Sequence, residues 1–579
     1  MKRLVFAFAL FSICACGPGP RNGVGDDDDD DGSNCSQMCS ADSSSIVDCK
    51  GNVVQACGAG ESCAAGACLD ACDAAAQHKS SIGCDYYSVD PDVVAAGAGG
   101  CFAAYIANTS SSPLSINVEY NGTQLQTASF AYVPSGTGES ITYTPLTNGM
   151  LSPNEVAILF LTQTPGGVVA CPSSVQSALT SGGALTGTGY GNAFHITTTQ
   201  PAVAYDIYPY GGGPSAVSSA TLLLPTAVWD VNYVAADAYE SAGGGAISPT
   251  VDIVGSTDGT MVTITPVTPI VGGTGVAAGG MGMPTSYSLN AGQVLQFEQE
   301  AELEGSVITA SAPIGVWGGA NCMDIPTTLG YCDAAHQQIP PVKSMGDHYA
   351  AVRYRNRFAG TAEESVPWRI VGAVDGTTLT YSPSMPTGAP TTLMQGQVAE
   401  FDSTGYFTVE SQGSDNPFYM AAYMTGCEAV SSSDEDCRGD PEYVNIVPPE
   451  QYLSQYTFFT DPTYPETNLV LTREKLNGAF ADVSIDCAGT LTGWMPLDTA
   501  DDMEYTRVDF STGNFQAVGN CNNGLHTANS TQPFGLVVWG WGTAATGGEE
   551  IGDPGYTQCV SYAYPAGASV KQINQVVIQ

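Results

Sequence analysis

Lysine and arginine supply only 15 of the 579 residues, against 57 aspartates and glutamates, so the chain carries a formal charge of −42. A surface this poor in cations cannot displace counterions from nucleic acid or anionic lipid, and both drop out as partners. Histidine is scarcer still, with five residues at His78, His195, His336, His348 and His526. The chain also lacks a Gly-x-Ser-x-Gly elbow, a His-Glu-x-x-His pair, a Walker sequence and a dinucleotide fingerprint following a strand. These gaps remove the usual signatures of nucleophilic, zinc, nucleotide and hydride chemistry. Past the N-terminal segment, no apolar run reaches the roughly 18 residues that a membrane-spanning helix requires.

The first residues have the form of an export signal: Lys2 and Arg3, an apolar run from Leu4 to Ile13, then Cys14-Ala15-Cys16. The pattern fits a bacterial lipoprotein signal over 1–15, with cleavage after Ala15 and Cys16 acylated as the lipid anchor. It predicts a cell-envelope protein, on the outer membrane or cell surface, that touches the membrane through lipid alone. Residues 16–34, with Asp26 to Asp31 in one run, repel themselves and form an extended acidic tether. Nineteen cysteines fit an oxidising compartment. With Cys14 removed and Cys16 acylated the remainder is odd, so one thiol is left over or pairs between chains.

Seven cysteines between Cys35 and Cys72 crowd a segment too short to build a core, which predicts a disulfide-rich module over 35–83. Zinc is set aside there, because an exported segment with no ligating histidine nearby suits bridges better. The rest of the chain repeats. A run of β-formers, a proline and a second apolar run recur around Pro201, Pro313, Pro417 and Pro533. A second marker, an apolar strand ending in proline, recurs at Pro225, Pro340, Pro448 and Pro565. Both markers move with a period of roughly 110 residues. Asn121-Gly122, Asp258-Gly259 and Asp375-Gly376 add tight-turn signals between alternating runs. An all-β fold follows, with about four repeats over 84–225, 226–341, 342–449 and 450–579. Six or seven short strands per repeat fit antiparallel β-sandwich-like modules, with a propeller-like ring of large blades as the alternative. Whether the array is a rod or a closed ring depends on how the module edges meet.

Cys322 with Cys332, and Cys427 with Cys437, bracket the loops that follow two of the proline motifs, and Cys487 with Cys521 is the expected bridge of the last repeat. These loops exceed a tight turn and are the expected binding surface. No catalytic residue is expected. His195 and His526 hold equivalent strand positions and read as packing, and His336 and His348 have no nucleophile beside them. No cofactor is expected either, calcium being the one ion that the acidic stretch Asp434-Glu-Asp436 could hold. The tripeptide Arg438-Gly-Asp440 and two Gly-Asp-Pro sequences, at Gly439 and Gly552, carry no function, the latter lacking the histidine that self-cleaving versions have. Tyr208-Pro-Tyr210, Tyr456-Thr-Phe-Phe and Trp539-Gly-Trp541 serve either as exposed contact surface or as core.

The strings Cys84-Asp-Tyr-Tyr-Ser-Val, Gln200-Pro-Ala-Val-Ala-Tyr, Leu222-Leu-Leu-Pro, Ser311-Ala-Pro-Ile-Gly-Val-Trp-Gly-Gly with Cys322, and Cys332-Asp-Ala-Ala-His-Gln-Gln-Ile-Pro-Pro-Val together resemble the N-terminal domain of the IgGFc-binding protein family. That domain also occurs in cell-surface proteins of myxobacteria. The similarity covers 84–450 and extends more weakly to 566. It implies a binding role and transfers no catalytic residue. The expected protein is thus a lipid-anchored, surface-displayed adhesion or recognition molecule for an extracellular protein, glycoprotein or glycan. A polysaccharide hydrolase working through two facing carboxylates, and a structural envelope component, are the alternatives. Replacing Cys16 with Ala is expected to move the chain from the membrane to the soluble fraction on cell fractionation; unchanged membrane association would rule the anchor out.

Overall fold

The computed structural model describes residues 37–40, 42–95, 97–167, 169–211, 217–239, 247–431, 437–544 and 557–579. The signal segment, Cys16, the acidic tether, Asp434 to Asp436 and Gly552 to Pro554 lie outside the described residues. Strands dominate the remainder. The helix Ala71–His78 is capped by Asp70, whose carboxylate accepts the amide of Cys72 at 3.0 Å.

The N-terminal module has a three-stranded sheet, Met38–Cys39, Ser45–Val47 and Val53–Ala56, and a hairpin, Glu61–Ala64 with Ala67–Asp70. Bridges Cys39–Cys63 and Cys57–Cys68 supply what its sparse apolar residues cannot. Cys72–Cys84 ties the helix to the main body.

In that body, each proline motif lies at the centre of a sheet. Phe194–Tyr208, Val307–Met323 and Gly524–Trp541 are single long strands, and each changes partners at its proline. Before Pro313, the strand pairs with Asp230–Val234 and Thr260–Thr265; beyond it, with Pro249–Gly255 and Asp333–Gln338. The same exchange occurs around Pro201 and Pro533. Proline has no N–H to give a ladder, so it fits where one set of partners ends and the next begins. At Pro417 the strand is interrupted, giving Phe407–Glu410 and Phe418–Met424 with the partners divided between them. The strand Gly189–Asn192 crosses over and pairs with Gln293–Glu298 of the next unit.

The final strand of each unit faces inward. Ser219–Leu223, Asp333–Gln338, Glu442–Asn445 and Ser561–Pro565 are buried throughout. The first packs on the second and fourth, and the third packs on the same two, so the four close a ring. Hydrophobic clusters fill all four junctions around it, joining first to second, second to third, third to fourth and fourth to first units. The array is therefore closed, the outcome that the repeat pattern leaves open. Close approach explains the glycines after Trp317: a Cβ on Gly318 or Gly319 would lie 1.6 Å from the Ala236 carbonyl oxygen or 1.9 Å from that of Ala335.

The inner strands do not share a backbone ladder; side chains join them. Gln337 Nε2 donates to the carbonyls of Ala220 at 2.8 Å and Ala563 at 3.0 Å, linking three strands at one amide. Asn445 Nδ2 donates to Gln338 O at 2.9 Å, and Gln338 N to Thr221 Oγ1 at 2.8 Å. Residues beyond Pro565 run across one end of the ring, held by Lys79, Lys343, Gln451 and Asn232. Replacing Gln337 with Leu strands two buried carbonyls, and is expected to lower stability by about 2–3 kcal/mol in denaturant unfolding. A loss below about 0.5 kcal/mol would mean that this amide does not hold the ring.

Candidate functional site

Each long strand leads to its inner strand through a loop, and the described ends of all four loops lie at the same end of the ring, residues 212–216, 432–436 and 545–556 being outside the described residues. Ser218 N donates to Asp333 Oδ1 at 2.7 Å, joining the first loop to the second. Gly330 N donates to Glu428 Oε2 at 3.0 Å and Gly426 N to Ile325 O at 2.8 Å, joining the second to the third. Asp440 N donates to Ser561 Oγ at 2.8 Å, and Ser561 N to Ser218 Oγ at 3.0 Å, completing the circuit.

Two disulfides stiffen this end. Cys322–Cys332 and Cys427–Cys437 each close a loop of sequence separation 10. Cys559 Sγ lies 2.6 Å from Cys437 Sγ, and the side chain of Tyr331 packs on this sulfur cluster. Arg357 is fully buried beneath the third loop. It donates to Glu364 Oε2 at 3.1 Å, to Thr425 through both O and Oγ1 at 2.8 Å, and to the Arg438 carbonyl at 3.0 Å. Above this base Pro326, Thr328, Gly330 and Ala429 are exposed and Leu329, Tyr331 and Val430 partly so, a mixed apolar and polar rim.

Beneath the rim the ring axis is acidic. Asp333 and Asp440 are held well above the usual carboxylate range, Asp333 by burial and then by the charge of Asp440, Asp440 chiefly by burial. Burial does the same to Glu442. Asp324 is pushed up to about 6 by burial and by Glu428. His336 stays neutral, burial pushing it down to about 3, with Nε2 3.9 Å from Asp206 Oδ1.

The structure decides several of the readings made from sequence. Tyr210, Trp539, Trp541, Tyr456, Phe458 and Phe459 are core residues, so the aromatic pairs do not form a contact surface. Within Arg438-Gly-Asp440 the aspartate is wholly buried and accepts Cys427 N at 3.0 Å, so the tripeptide is a structural corner. Cys487–Cys521 is bridged but lies at the start of the strand whose far end carries the fourth loop, away from the rim. His526 is held there by Asp486 and Asn522. His195, in contrast, lines a cleft of about 410 Å³ between the first two units. Its ring stacks on Tyr87 at 4.4 Å, with Nε2 3.0 Å from Asp85 and Nδ1 3.5 Å from Glu119. Asn121, Asn192, Asn290 and Gln293 complete the polar wall. Burial opposes charge on His195, but the hydrogen bonds and charges of Asp85 and Glu119 outweigh it and raise its pKa. Sequence also missed Cys101–Cys171, whose partners are 70 residues apart and carry no local spacing signal.

The family model described as IgGFc binding protein matches residues 219–540. Over 288 residues the chain is 25% identical to the IgGFc-binding protein of Homo sapiens, which covers 47% of this chain and 5% of that protein. The chain thus spans only a small part of that relative's length.

The buried acids set a pH dependence. Burial pushes Asp90 up to about 7, and burial with the charge of Glu298 pushes Asp92 and Asp252 to about 8. Groups raised in the folded state bind protons there more tightly than in the unfolded chain, so their stability is complete below about pH 4 and is lost as pH rises through 6–8. His336 acts oppositely, losing stability as pH falls below about 6.5, but it is one group against several. The melting temperature is expected to be higher at pH 5.5 than at pH 8; calorimetry giving the reverse order would show that these carboxyls are ionised in the fold.

Proposed function

Because the chain belongs to the IgGFc binding protein family, we propose that it is a non-catalytic recognition protein, anchored to a bacterial cell surface through Cys16, whose loop-bearing ring end engages an extracellular protein. The supporting observation is the convergence of four loops on one end of a closed scaffold, fastened by two disulfides and a buried arginine. Rigid display of a mixed rim lowers the entropy lost on binding, which is what a recognition surface needs. The human relative is named for binding IgG Fc; a folded extracellular glycoprotein is the partner class we assign to this chain. A second reading, for a glycan, is favoured by the polar cleft around His195, whose amides and carboxylates suit sugar hydroxyls.

The test is surface binding of the whole chain against immobilised extracellular glycoproteins, Fc fragments and free glycans. Leu329→Asp and Val430→Asp are expected to weaken protein binding at least about tenfold, roughly 1.4 kcal/mol, without altering the melting temperature. Binding that survives both substitutions but falls with Asn192→Ala would move the site to the cleft. Absence of binding to every class would defeat the recognition reading.

A further inference from the structure

A second cluster lies at the junction of the second and third units, apart from the rim. Its sequence basis is the acidic turn Glu298-Gln-Glu-Ala-Glu-Leu-Glu304. Asp237 is fastened to that turn because its Oδ2 accepts Leu303 N at 2.9 Å. One oxygen from each of Asp237, Glu302 and Glu304 lies within 4.8 Å of the others.

The opposite side of the cluster belongs to Arg369, on the strand Val366–Gly372. Its Nη1 donates to Glu304 Oε2 at 2.6 Å, Nη2 to Glu302 Oε1 at 2.8 Å and Nε to Glu400 Oε2 at 2.9 Å. The guanidinium sits 4.2 Å from the ring of Tyr239 and 5.7 Å from that of Tyr423. Arg369 thus faces Asp237, Glu302, Glu304 and Glu400 as the one cation among the described residues. Arg369 and the Leu303 amide orient the carboxylates, occupying one oxygen of Glu304 and one of Asp237. Asp237 is 1% exposed and Glu304 2% exposed, yet Asp237 Oδ1 and Glu304 Oε1 accept no hydrogen bond among the described residues. Leaving such oxygens dry and unpaired is costly.

We propose that Asp237, Glu302 and Glu304 bind one calcium ion, each giving it an oxygen while Arg369 and Leu303 hold the others. The donors are hard oxygens without nitrogen or sulfur, which disfavours zinc. Calcium bonds of about 2.3–2.6 Å accommodate three oxygens within 4.8 Å of one another, and calcium takes irregular carboxylate sets where magnesium demands near-ideal octahedral geometry. Water fills the remaining positions, entering past Glu302 and Glu400, whose side chains are 22% and 41% exposed. The ion would pin the acidic turn to Asp237 within the second unit, a structural role separate from the rim and cleft.

The test is calorimetric titration of the chelator-stripped whole chain with calcium chloride at pH 7.5. One saturable site is expected, with a higher melting temperature when filled and at least tenfold weaker affinity for magnesium. Asp237→Asn and Glu304→Gln should each weaken calcium at least tenfold. Equal calcium affinity in both variants, or no saturable site in the parent, would overturn the proposal. Should either variant fail to fold, terbium decides: bound at this site, it should show Tyr-sensitised emission from Tyr239 and Tyr423 that calcium quenches by competition. Absence of that emission would also overturn it.

Discussion

Everything in this fold depends on how four buried strands satisfy one another without a shared ladder. Ser219–Leu223, Asp333–Gln338, Glu442–Asn445 and Ser561–Pro565 each hydrogen-bond outward to their own long strand, which leaves their inward faces to be paired by side chains. Gln337, Gln338, Asn445 and Ser218 do that work, each reaching a neighbouring unit. An apolar axis would have filled the same space, but it would not have fixed the rotational register of four similar units. Directional amides do. The buried acids belong to the same network, since Glu442 accepts from Ser219 Oγ at 3.3 Å while its other oxygen has no partner among the described residues.

The bent strand transmits this order outward. Because one continuous chain pairs with different partners on either side of its proline, a unit cannot shift its inner strand without shifting its outer sheet. The closed ring then follows from packing: Tyr87 and Trp229 meet at 5.4 Å across the first junction, and Tyr239 meets Tyr423 at 5.1 Å across the second. Those contacts give each junction aromatic burial beyond what one unit offers alone.

The proline spacing and the period-2 runs carried the strand pattern, because both are local consequences of ladder chemistry. Cys322 with Cys332 and Cys427 with Cys437 were legible for the same reason, a short loop leaving few partners. What escaped was non-local. Nothing near Cys101 announces Cys171, and nothing in Tyr210 or Trp539 distinguishes a core aromatic from an exposed one. His195 looked like packing because its strand position matches that of His526, yet the first unit's neighbours turn it toward a cleft, while Phe458 and Phe510 close over His526. Equivalent positions diverge when the units around them differ.

The loop end also shows why a closed scaffold suits recognition. A surface loop ordinarily gives up conformational entropy when a partner orders it, and that loss offsets contact energy. Here the loss is largely met during folding, since two ten-residue bridges, the buried Arg357 and the buried Asp440 already hold the backbone beneath the rim. Tyr331 takes a left-handed backbone, φ 64°, inside this braced loop. A side chain held in that conformation costs free energy on its own, so its support must come from the bridge and the sulfur cluster packed below it. Changes at the rim therefore alter contact chemistry with little effect on the ring, whereas changes at the axis disturb every loop at once.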